Sequence, residues 1–139
     1  MAAAVAAGLD GLLVTHLPDV RYLTGFTGSN AAVVLTGARA VLFTDGRYTA
    51  QAKAEARGVR VVIEKTSAVG AACAWLEAAG VRRCGFDGTQ TTVAGLDAMR
   101  KAVSGKLRRG MFVAVDALVA KLREVKDADE IAATRKAAL

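Results

Sequence analysis

Six short apolar runs punctuate the chain, and the residues between several of them carry apolar positions at helical spacing. The first run, residues 11–16, is almost continuously apolar, the pattern of a strand covered on both faces. Pro18 and Asp19 then open a helical turn or two through Leu23. Proline suits a first helical position, where its missing N–H would be unpaired anyway, and Gly25 ends the turn. Residues 31–35 and 40–44 form two strands around Thr36-Gly37-Ala38-Arg39, a connection of hairpin length that contains glycine.

After the hairpin the rhythm changes to strand and helix in alternation. Asp45 is placed to cap a helix over residues 47–57, with Tyr48, Ala52 and Ala56 as its apolar stripe and Gly58 as its stop. A strand over 59–63 follows. The helix over 68–79 has Ser67 as cap, Val69, Ala72, Cys73 and Leu76 on one face, and Gly80 at its end. A short strand spans 83–86. Thr91 or Thr92 caps a further helix bearing Val93, Leu96, Met99 and Val103, and a last strand spans 111–115. Strand–helix alternation implies parallel neighbours. The pattern predicts one α/β domain: a mixed sheet of about six strands, antiparallel hairpin first, then parallel strand–helix–strand units, flanked by helices.

The C-terminal stretch differs. Leu118, Leu122 and Val125 mark a short amphipathic helix. Asp127, with Glu130 three residues on, resembles a capping box. The helix it starts runs to Leu139 with no stop signal, as a connector would. The expected division is a domain over 1–125 and the start of a connector helix over 126–139. Residues 1–7 read as a short helix.

Composition narrows the function classes. Across 139 residues there are 19 Lys+Arg against 13 Asp+Glu, a net charge of +6, but the bases are scattered and aromatics make up only 5%. A nucleic-acid groove needs stacking platforms among its bases, so the expected partners include no nucleic acid. No apolar stretch approaches the roughly 18 residues of a membrane span, and no membrane partner is expected. Cys73 and Cys84 form no metal or redox pattern and read as buried structural thiols. Reduced thiols suit a cytoplasmic setting.

The chemistry-bearing residues do not assemble a reaction. His16 is the only histidine, and a divalent-metal site needs several converging imidazole, thiolate or carboxylate groups. The acids are dispersed, mostly at turns and caps. Two loops remain. Gly25-Phe26-Thr27-Gly28-Ser29-Asn30 is no phosphate loop, because it lacks the Gly-Lys-Ser/Thr ending and leads into a strand. It is either a glycine-dependent turn or a contact surface presenting Phe26 as an exposed aromatic, with Ser29 and Asn30 as hydrogen-bonding groups. In Thr44-Asp45-Gly46-Arg47-Tyr48, the simpler account has Asp45 as a cap paired locally with Arg47. The alternative uses Arg47 as a donor fork for a carboxylate on a ligand or partner subunit.

Three stretches together resemble the N-terminal domain of creatinase/prolidase-type metallopeptidases (family M24), the Xaa-Pro aminopeptidases in particular. Residues 18–31 (PDVRYLTGFTGSNA) are similar to a signature near the start of those enzymes. Residues 42–48 (LFTDGRY), followed by Gln51-Ala52, match their next landmark, and residues 122–131 (LREVKDADEI) match the connector into their catalytic domain. The resemblance implies a creatinase N-domain-like α/β fold that is itself non-catalytic, followed by a catalytic domain binding two divalent metals (Mn, Co or Zn) and cleaving before proline. None of the family's metal ligands maps onto this chain, so no catalytic or metal site and no cofactor are expected within it, and alone it is expected to be inactive. The resemblance further implies self-association as a dimer or tetramer, proline-containing peptides as substrates of the catalytic domain, and a role in shaping the substrate entrance. Phe26, Asn30 and, more weakly, Arg47 are the implied substrate or subunit contacts. The resemblance also extends to histone-chaperone relatives, which reuse the same fold and resemble these peptidases but bind peptides without cutting them, so a non-catalytic peptide- or protein-binding module is the alternative.

Overall fold

In the computed structural model, which describes residues 8–116 and Val119, successive strand residues point into two different cores. Strand β1 (Gly11–Val14) leads to helix α1 (Leu17–Thr24), then to β2 (Ala32–Leu35) and β3 (Ala40–Asp45). A single 3-10 turn (Gly46–Tyr48) and helix α2 (Thr49–Glu55) connect to β4 (Arg60–Glu64). Helix α3 (Ala68–Ala78), β5 (Cys84–Asp87), helix α4 (Val93–Lys101) and β6 (Phe112–Val115) complete the order. Leu13, Ala32, Val34, Val41 and Phe43 face α3 and α4, while Val14, Val33 and Leu42 face α1 and α2. This period-two division of apolar runs between two faces explains why the strands read as continuously hydrophobic.

The sheet order is β4-β3-β2-β1-β5-β6. β2 pairs antiparallel with both β1 and β3, whereas β4, β5 and β6 pair parallel with β3, β1 and β5 respectively. The α/β mixed sheet expected from the pattern is therefore present. What the pattern did not show is that the chain leaves β4 at one edge and returns through α3 to lie beside β1. At that central crossing β5 carries Gly85, where a side-chain carbon would lie 2.7 Å from both Leu9 and Leu12.

The caps follow local chemistry. The Ser67 hydroxyl accepts from the Gly70 N–H at 3.1 Å, and the Thr92 hydroxyl from the Gly95 N–H at 2.9 Å. Two details differ from expectation. The helix expected over 47–57 splits into the 3-10 turn and α2, because the Asp45 carboxylate accepts from the Arg47 N–H and tightens the first turn. Val93 starts α4 but is 80% exposed, so the buried side of that helix is carried by Met99, followed by Val103 just beyond its end. On α3 Ala68 joins Ala72, Cys73 and Leu76 as fully buried, while Val69 packs half-buried against the same core. The expected helix over 1–7, the Leu122/Val125 helix and the connector over 126–139 lie outside the described residues.

Candidate functional site

The two loops singled out in the sequence lie side by side. Gly25 adopts φ +82° as the end cap of α1, and its N–H donates to the Arg21 carbonyl at 2.7 Å. A side-chain carbon there would also sit 2.9 Å from the Glu55 carbonyl oxygen, so glycine is required both by the backbone and by the close approach of α2. Thr24, fully buried, donates its hydroxyl to the Val20 carbonyl and accepts from the Phe26 N–H. This turn sends the Phe26 ring inward. Phe26 is 1% exposed, packed with Val20, Val33, Leu42 and Ala52 and edge-on to Tyr48 at 5.7 Å. The expectation of an exposed aromatic is thus corrected: apolar burial outweighs presentation at this position. Gly28 makes room for it, since a side-chain carbon there would fall 2.2 Å from the ring.

Asn30, half-buried, donates its side-chain N–H to the Asp45 carboxylate at 2.7 Å, and its carbonyl accepts from the Thr44 hydroxyl at 2.6 Å. Asp45 also accepts from the Arg47 backbone N–H and, through both oxygens at 2.9 Å, from the Arg47 guanidinium. The local pairing of Asp45 with Arg47 is therefore present. The bond from Arg47, then that from Asn30, holds the Asp45 carboxyl well below the usual carboxylate range; the same pairing raises Arg47. Arg47 keeps 71% of its side chain exposed while Asp45 keeps 13%. Its guanidinium lies 5.2 Å from the centre of the Tyr48 ring, a cation–π distance. A carboxylate fixes one edge of the fork, and the remaining donors face solvent.

Sequence reasoning missed a second cluster beneath the same loop. Glu55 accepts from the Thr27 N–H and hydroxyl, both at 2.8 Å, and Gln51 donates to the Thr27 hydroxyl at 2.8 Å. The Thr27 bonds lower the Glu55 pKa. Gln51 and Glu55 stand four apart on α2, a spacing that puts them on one face. Tyr48, which apolar spacing places only on the helix stripe, also joins the loops: its hydroxyl bonds the Ser29 hydroxyl, and that bond lowers its pKa. Shallow grooves flank the loops, one lined by Pro18, Arg21, Tyr22, Thr27 and Ser29, another by Asn30, Asp45, Arg47 and Glu64.

None of this resembles a metal centre. Among the described residues no three His, Cys, Asp or Glu side chains converge. His16 offers its carbonyl to the first N–H groups of α1. Burial pushes the Cys73 thiol up to about 12 and Cys84 higher still, with Cys73 and Asp10 adding to the latter. A thiol so held is a poor ligand and nucleophile. No described helix is long and apolar enough to cross a membrane.

Residues 2–125 match the family model for the creatinase/prolidase N-terminal domain. The chain is 37% identical over 131 residues to the uncharacterized peptidase YqhT of Bacillus subtilis, covering 94% of this chain and 36% of that protein. It is similar to the N-terminal domain of the cytoplasmic peptidase PepQ from Mycobacterium tuberculosis, with 39% identity and a TM-score of 0.80 over 88% of this chain and 93% of that one. An Xaa-Pro dipeptidase from Bacillus anthracis superposes with a TM-score of 0.81 at 30% identity, over 94% of this chain and 35% of that one. The chain thus spans about a third of the length of YqhT.

Proposed function

The chain belongs to the creatinase/prolidase N-terminal domain family, and from that premise we propose that it is the non-catalytic N-terminal domain of a metal-dependent, cytoplasmic Xaa-Pro peptidase. In that protein it shapes the substrate entrance and takes part in subunit assembly. The observation that carries the reading is the two-loop network: Asn30 and Asp45 hold the exposed Arg47 fork in one place on the surface. Fixing a charged side chain through hydrogen bonds from neighbours that are themselves held is how a protein prepares a polar contact. In this reading Arg47 is the contact, Asn30 positions it through Asp45, and Phe26 anchors the loop from within. The two divalent metals belong to a catalytic domain beyond residues 1–125, with residues 126–139 opening the connector, because this chain's described donors do not suit them.

The test uses the longer protein that this reading requires, in which residues 1–139 are followed by a catalytic domain. With manganese it is expected to hydrolyse an Xaa-Pro dipeptide. Arg47→Ala is expected to raise KM severalfold with kcat nearly unchanged, the signature of lost binding rather than lost chemistry. An intact protein that binds no metal and cleaves nothing overturns the reading.

A further inference from the structure

β4 ends the sheet, and among the described residues no strand pairs with its outer edge. An open edge presents unpaired backbone donors and acceptors to any other chain, unless bulges, charges or a cover blunt it. β4 has no bulge: it stays in register with β3 from Val41↔Arg60 to Asp45↔Glu64. Nor is it fully covered. Ile63 is 40% exposed, and a groove lined by Val62, Glu64, Ala71 and Trp75 runs beside it where α3 lies over β2 and β3.

The sequence of this edge, Arg60-Val61-Val62-Ile63-Glu64, has opposite charges placed symmetrically about Val62. We infer that β4 pairs antiparallel with the β4 of a second copy of this chain, about a two-fold axis through Val62. Residues directly opposite in an antiparallel pair share a face and interact. In this register Arg60 faces Glu64 of the second copy, and the reverse pair forms on the other side of the axis. Val62 meets its own equivalent, and on the other face the exposed Ile63 is covered by Val61. Sliding by one or two residues in either direction sets Arg60 or Glu64 against an apolar side chain, and a parallel pairing in register sets like charges together. Among the described residues neither Arg60 nor Glu64 has an ion-pair partner within the chain, and the neighbour of Glu64 across the ladder is the acidic Asp45. The two-fold pairing supplies that missing cation twice.

This inference deepens the assembly half of the proposed function and rests on it. Five paired residues span about 17 Å and are far fewer than the roughly 20–30 residues a side of a standard stable interface, so the isolated chain associates weakly and in a concentration-dependent way. Sedimentation equilibrium at low salt, from micromolar to millimolar chain, tests it with Arg60→Glu, Glu64→Arg and the double swap, each checked for folding by circular dichroism. The expected result is a dimer weakened about tenfold or more by either single reversal and restored by the double swap, since like charges opposite each other become opposite charges again. A dimer indifferent to both reversals overturns the β4 edge but leaves assembly standing. Monomers at every concentration overturn the β4 edge, and if the longer natural protein is also monomeric, the assembly reading falls with it.

Discussion

Removing the ring of Phe26 would leave a void bounded by Val20 of α1, Ala52 of α2 and the sheet residues Val33 and Leu42. Phe26→Ala is therefore expected to lower unfolding stability by about 3–5 kcal/mol, read as a lower urea midpoint. A surface contact residue would change the midpoint far less. In the sequence Phe26 looked exposed because it stands in a run of polar and glycine residues, where no periodicity assigns a face. The legible clue was Gly28, whose missing side chain is what the ring fills. Asp45 was readable as a cap from its place before a helix, but its bond to Asn30, fifteen positions earlier, was not. The Asp45 carboxyl is held below its ordinary value in the folded chain, chiefly by the bond from Arg47. Its stabilisation is thus fully present above the unfolded value of about 3.9 and is lost as pH falls through the folded one. Urea midpoints measured against pH should show Asp45→Asn less stable than the parent at neutral pH, with the gap closing below about pH 4. A gap that stays constant through the acid range would contradict the assigned role of the charge.

At the scale of elements, capping chemistry was the most legible feature. Ser67, Thr92, Gly25 and Gly80 all act where their residue types suggested, because a cap is a local contest between one side chain and one or two backbone groups. Ser67→Ala and Thr92→Ala are each expected to cost about 1 kcal/mol, measured by thermal or urea unfolding. A neutral result at either position would mean water replaces the hydroxyl without loss. Helix faces were less legible. Val93 fits the apolar spacing of α4 yet is exposed, because a helix's first turn can project past the core it packs on. The 3-10 turn was also hidden, since the Arg47 N–H bond to Asp45 that creates it leaves no mark in hydrophobic spacing.

Across the whole molecule, fold class was legible and strand order was not. Short apolar runs divided by helices specify a mixed sheet, but the return from the β4 edge to a place beside β1 depends on long-range fit, such as the space Gly85 leaves for Leu9 and Leu12. The same scale holds the proposed function, in which the chain positions and assembles rather than cleaves; the sequence has one histidine, and among its described residues no three His, Cys, Asp or Glu side chains converge. Calorimetric titration of manganese together with an Xaa-Pro dipeptide assay, run on the 139-residue chain beside the longer protein that this reading requires, measures this directly. The account predicts neither tight metal binding nor turnover in the shorter chain and both in the longer one. Metal-dependent cleavage by the 139 residues alone would contradict it.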